Sequence, residues 1–156
     1  MALIDKISAD INAAMKSREQ LRLETLRTLL AVLKEKVVEK RPHGGMTSED
    51  EMAVLIRAAK KRKEAADIYS ANGRPELASA EERELEIIRE YLPKPLSQDE
   101  LEAMVRKVVS ETGASAPGDF GKVMPLVMKE AKGRIDGKIV QSTVKKILEG
   151  PADGAH

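Results

Sequence analysis

An all-α fold follows from three features of the sequence. Apolar residues recur at steps of three and four along most of its length, Ala, Leu, Glu and Lys abound while Tyr, Phe and Thr are scarce, and the stripes are separated by Pro, Gly and capping residues. At 156 residues the chain is long enough for one ordinary domain or two small ones.

The first helix is marked by Leu3 or Ile4, Ile7, Ile11 and Met15 on one face, and the pattern breaks between Ser17 and Glu19. A second helix carries Leu23, Leu26, Leu30, Leu33 and Val37 at heptad steps, with Leu21, Leu29 and Val32 widening the stripe beyond a coiled-coil seam. It should stop near Arg41, because Pro42 disfavours helical geometry in the residue before it and Gly44-Gly45 supplies a loop. The third helix should begin at Thr47 or Ser48, where Ser48 and Glu51 fit a capping box, and run to about Ala71 before Asn72-Gly73. The fourth runs from Pro75 to Leu92 with Leu77, Leu85, Ile88 and Leu92 on one face.

Pro93 and Pro95 make a stiff, extended connector, so we place a helical domain at residues 1–93 and a smaller one at 94–150. Ser97 and Glu100 form a capping box before the stripe Leu101, Met104, Val105, Val108 and Val109. Phe120, Val123, Met124, Val127 and Met128 mark a sixth helix, and Ile139 or Val140, Val144, Ile147 and Leu148 a seventh. The expected architecture is an N-terminal helical bundle plus a small three-helix C-terminal domain. Pro125 inside the sixth helix removes a hydrogen bond unless it sits in the first turn or makes a kink. Residues 151–156 read as a disordered tail.

Composition excludes several classes of chemistry. The chain has no Cys and only two His, so disulfides, thiolate zinc sites, cysteine nucleophiles and histidine-rich metal centres are all ruled out. We expect neither metal nor cofactor. Apolar runs are far too short to cross a bilayer, and the acids in MALIDKISAD fit neither a signal nor a transit peptide, so a cytosolic protein without membrane contact is expected. No G-x-S-x-G, phosphate-loop, H-E-x-x-H or G-x-G-x-x-G motif occurs, the D-F-G triplet at Asp119 lacks its kinase partners, and His43 reads as a loop residue.

Charge placement is more informative. Arg57, Lys60, Lys61, Arg62 and Lys63 fall within seven residues with no acid. Helical geometry sends the stripe Met52, Leu55, Ala59, Ala66 and Tyr69 through position 62, with 63 beside it. Glu81 and Glu84 interrupt the fourth helix in the same way. The four charges Arg62, Lys63, Glu81 and Glu84 therefore read as ion pairs across an antiparallel seam, or as an anion site. Arg57, Lys60 and Lys61 should face water, as a solvated surface or a phosphate-binding patch.

From Pro117 to Leu148 seven cations stand against three acids, a local charge of +4. Lys132, Arg134 and Lys138 surround a turn just before a helix, whose free N–H groups favour anions; Gly133 and Asp136 equally suit a simple stop and cap. Against this, a net charge of +1 is below the basic excess of dedicated nucleic-acid binders, and with only Tyr69, Tyr91 and Phe120 there are few base-stacking platforms.

The order of Ala14-Met15-Lys16, Leu26-Arg27-Thr28-Leu29, Lys61-Arg62-Lys63-Glu64, Gly73-Arg74, Leu77-Ala78, Glu81, Glu84-Leu85, Tyr91-Leu92-Pro93, Gly121-Lys122-Val123-Met124 and Gly133-Arg134 with Asp136-Gly137-Lys138 resembles the YqeY family. The resemblance spans residues 1 to 149; Pro125 and the tail lie outside it. It implies a fold shared with the C-terminal regions of the GatB subunit of glutamine-dependent aspartyl/glutamyl-tRNA amidotransferase, where the tail helps hold tRNA and a separate, larger domain performs the chemistry.

The implied family label is carbon–nitrogen ligase with glutamine as amide donor, without stand-alone catalysis in this chain. The resemblance marks Lys122, Arg134 and Lys138 as binding rather than catalytic residues; Lys61, Arg62, Lys63 and Arg74 match its N-terminal motifs, where ion pairing with Glu81 or Glu84 is the stronger reading. The leading expectation is a tRNA-binding accessory protein that reads RNA shape and backbone. The alternative is a module that docks on an amidotransferase or other translation protein through the wide stripe of the second helix.

Overall fold

Seven α-helices and no strand make up residues 2–150, the part of the chain that the computed structural model describes. The fold is all-α. The chain divides at the Leu92–Pro93 bond into two units, each with its own core. The tail expected at residues 151–156 lies outside the described residues.

In the first unit, α1 (Leu3–Ser17) buries Ile7, Ile11 and Ala14. Met15 is exposed rather than part of this face, because Ala14 continues the seven-residue step from Ile7 and the next position is turned about 100° away. The helix ends at Arg18, which adopts the left-handed conformation at φ 61, while the Glu19 N–H donates to the Ala14 carbonyl at 3.0 Å. This two-residue reversal sends α2 (Gln20–Lys40) back along α1, burying Leu23, Leu26, Leu29 and Leu33.

A 3₁₀ turn at Arg41–His43 places His43 in the connection to the next helix, and Gly44 and Gly45 both take φ 92, a conformation only glycine adopts readily. The cap of α3 (Ser48–Ala71) is Thr47 with Asp50, one residue earlier than the Ser48–Glu51 box. Thr47 Oγ1 accepts from the Asp50 N–H at 3.1 Å and Asp50 accepts from the Thr47 N–H at 2.9 Å. Donation from Thr47 and from Lys40 at 3.1 Å holds the Asp50 carboxyl down at about 2.

Hairpin return through Asn72–Arg74 brings α4 (Pro75–Arg89) onto α3, with Ala78, Leu85, Ile87 and Ile88 buried. The helix ends three residues before Leu92. Its last turn opens so that the Tyr91 hydroxyl donates to Asp10 on α1, while Arg22 on α2 forms a fork to Glu90 at 2.8 and 3.0 Å. Burial, then the Asp10 contact, pushes the Tyr91 phenol above its ordinary range. Leu77 sits at the hairpin end and is exposed. Ile7, Leu26, Leu33 and Ile88 are essentially inaccessible, and burying each contributes roughly 1.5–3 kcal/mol.

The second unit starts with a short irregular segment that leads into α5 (Gln98–Thr112), capped reciprocally by Ser97 and Glu100 at 3.1 Å in each direction. Gly113 at φ 71 stops it. A 3₁₀ turn at Pro117–Asp119 follows, its Asp119 carboxylate accepting from the Ser115 and Ala116 N–H groups, which hold that carboxyl below its usual range. Then come α6 (Phe120–Ala131) and α7 (Gly137–Glu149). Leu101, Val105, Val123, Val127, Val140 and Val144 are fully buried between the three helices. Pro125 is tolerated inside α6 because the residue four before it, whose carbonyl loses its donor, is the exposed Gly121.

Candidate nucleic-acid interface

The cations of the second unit sort into two kinds. Lys129, Lys132, Lys138, Lys145 and Lys146 are exposed and form no ion pair among the described residues. Lys122 lies 3.6 Å from Asp119 on the preceding turn. Lys122 and Lys129 stand seven residues apart on the outer face of α6, as do Lys138 and Lys145 on α7, and Lys145 crosses over the Phe120 ring at 5.8 Å. α6, α7 and the turn between them therefore carry five exposed lysines that no carboxylate pairs among the described residues.

Arg134 does not belong to that set. Its Nε donates to the Lys94 carbonyl at 2.9 Å, and its own carbonyl accepts from the Leu96 N–H at 2.8 Å, so it clamps the entering chain onto the α6–α7 turn. The N-terminus of α7 is also taken: Asp136 accepts from the Lys138 N–H at 2.8 Å. The helix end weighed as a cap or a phosphate contact thus carries its own cap, with the Asp136 carboxylate in the place favourable for an anion.

In the first unit Arg62 enters the α3–α4 seam. Its Nε lies 3.3 Å from Glu84 and 3.8 Å from Glu81, held by charge with no hydrogen bond of good geometry. Burial outweighs the guanidinium and pushes the Glu84 carboxyl above its ordinary range. Lys63 does not share this seam. It pairs at 2.8 Å with Asp67 on its own helix, since one further residue rotates it out into solvent.

Lys60 is exposed, whereas Arg57 and Lys61 line a groove of about 450 Å³ between α2 and α3. Leu29, Val32, Val54, Ala58 and Ile88 supply its apolar surface. The α2 bank carries Thr28 and also Glu35, Lys36 and Glu39, three residues that did not stand out in the sequence. The available signal was the continuation of the Leu29–Val32 stripe toward position 39 at helical spacing. Among the described residues no group of three or more His, Cys, Asp or Glu is placed to hold a metal ion, and no helix is long and apolar enough to cross a membrane.

The family model for "Yqey-like protein" matches residues 4–148, nearly the whole chain. The chain belongs to the YqeY family. Its domain is the GatB/YqeY-like domain, so the two helical units carry a GatB-tail-like fold. Among similar curated proteins, "Altered inheritance of mitochondria protein 41, mitochondrial" of Lachancea thermotolerans is 29% identical over 144 residues, 89% of this chain and 71% of its own length. The protein of the same name from Kluyveromyces lactis is 26% identical over 151 residues, covering 91% of this chain and 75% of its own length. That of Clavispora lusitaniae is 30% identical over 101 residues, 64% of this chain and 57% of its own length.

These YqeY relatives are named as mitochondrial, which overturns the expectation of a cytosolic protein. That expectation rested on the first ten residues and on composition. A compartment address is a separable segment read by a receptor, so the residues that build a folded domain do not encode it.

Proposed function

We propose that this YqeY protein is a tRNA-binding accessory protein, gripping the RNA backbone through the α6–α7 surface and performing no amide transfer of its own. The observation that carries this reading is the set of five exposed lysines, Lys129, Lys132, Lys138, Lys145 and Lys146, that no carboxylate neutralises among the described residues. Free ammonium groups bind phosphate by releasing counterions, and each contact adds to affinity without reading sequence. The kinship with the GatB tail supports RNA as the polyanion.

The test is equilibrium binding of labelled bulk tRNA to the full chain and to a Lys132→Gln/Lys138→Gln/Lys145→Gln variant. Arg134 is kept, because its loss would disturb the fold. The variant should bind at least about tenfold more weakly while its circular dichroism is unchanged. Equal affinity of the two proteins would refute the assignment.

A further inference from the structure

The groove of the first unit is an independent feature, and its charges say what fits it. It follows α2 from Thr25 to Glu39, about 21 Å at the helical rise, which is the length of a four-turn helix rather than of a compact ligand. Its floor is apolar, and Val32 stands 42% exposed along it although Leu29 and Leu33 beside it are buried. The two banks carry opposite unmatched charge. On α3, Arg57 and Lys61 are one turn apart and have no carboxylate partner among the described residues. On α2, Lys36 is already paired with Glu39 at 3.0 Å, leaving Glu35 free.

We infer that this groove docks an amphipathic α-helix of a partner protein, whose apolar face lies on Leu29, Val32 and Val54 and whose acidic flank faces Arg57 and Lys61. An extended RNA strand is the poorer occupant, because the floor offers aliphatic side chains and no aromatic ring for a base to stack on. A second copy of this chain is poorer still. Each of its described helices already has its main apolar stripe buried in its own unit's core, so it has no free helix to lend. A helix in a groove, read by anchors at i, i+3, i+4 and i+7, needs no aromatic platform and gains its orientation from the flanking charges.

The probe is an acetylated peptide of about 16 residues with leucines at those spacings, glutamates along one flank and lysines along the other. The comparison is the same composition in scrambled order. The patterned peptide should bind the full chain at least about tenfold more tightly than the scrambled one, with methyl NMR shifts at Leu29, Val32 and Val54. Arg57→Glu/Lys61→Glu and, separately, Val32→Asp should each weaken it about tenfold, and both alter exposed side chains, so circular dichroism should not change. Equal binding of the scrambled peptide, indifference to the charge reversal, or displacement of the peptide by bulk tRNA would each overturn the proposal. Val32→Asp should leave tRNA binding intact, so this inference and the tRNA reading fail separately.

Discussion

Replacing Arg62 with methionine removes the guanidinium that stands between Glu81 and Glu84 while keeping most of the side-chain volume. Arg62 is 15% exposed in its side chain and each glutamate 24%, so the two carboxylates left facing one another are largely out of water. Removing one partner of a fully buried pair costs about 3–5 kcal/mol; with a quarter of each carboxylate still wet, about 2–3 kcal/mol is expected here. For a unit of this size that lowers Tm by roughly 10–20 °C.

The loss should depend on pH with a definite sign. Burial already raises the Glu84 pKa above its unfolded value, Arg62 pulls it down and Glu81 pushes it up, so Arg62→Met raises it further. A carboxyl that binds its proton more tightly when folded contributes stability below its unfolded pKa and loses it as pH rises through the folded pKa. The deficit of the variant should therefore be largest at pH 7 and shrink as pH falls toward about 4.5. Urea unfolding followed by circular dichroism between these limits measures it. Adding Glu84→Gln should restore more than half of the loss at neutral pH, because it removes the repelling charge. A deficit that stays constant with pH, or no rescue, would refute the reasoning.

Four further outcomes follow from single contacts. Arg18→Gly should raise stability by about 1 kcal/mol, because glycine adopts the left-handed turn between α1 and α2 without strain, and a rise in Tm checks it. Thr47→Ala should cost about 1 kcal/mol through the lost cap of α3. In the same box the Asp50 carboxyl is held near 2, so its contribution is present above pH 3.8 and vanishes as pH falls through about 2, which an NMR titration of the carboxyl resolves. Arg134→Lys should lose the bond to the Lys94 carbonyl, lower the second unit's stability by about 1 kcal/mol and speed amide exchange at Leu96, with tRNA affinity little changed.

The helices were legible because their stripes and punctuation are local. Leu23 to Leu33, Leu101 to Val109 and Val140 to Leu148 each declare a buried face through spacing alone, and Pro42, Gly113 and the Ser97–Glu100 box mark ends through backbone chemistry. What spacing does not carry is the partner of a charge. Position 62 lies on the seam and position 63 does not, a distinction of one residue that depends on the rotation of α3 against α4. Arg134 was legible as a cation beside a turn, but its engagement with the Lys94 carbonyl is a contact across 40 residues of sequence. Asp136 was legible as a cap, and in the structure its carboxylate accepts from the Lys138 N–H. The groove was half legible, since the Leu29–Val32 stripe and the Arg57–Lys61 cluster each stood out, while their meeting on opposite banks is a property of the packed α2–α3 pair.

The most direct measurement of the central claim is the salt dependence of tRNA affinity for the wild-type chain and for the Lys132→Gln/Lys138→Gln/Lys145→Gln variant. Backbone gripping predicts that log K falls steeply and linearly with log salt, and that the slope of the variant is shallower by about one unit for each phosphate contact removed. An affinity independent of salt, or the same slope in both proteins, would contradict it.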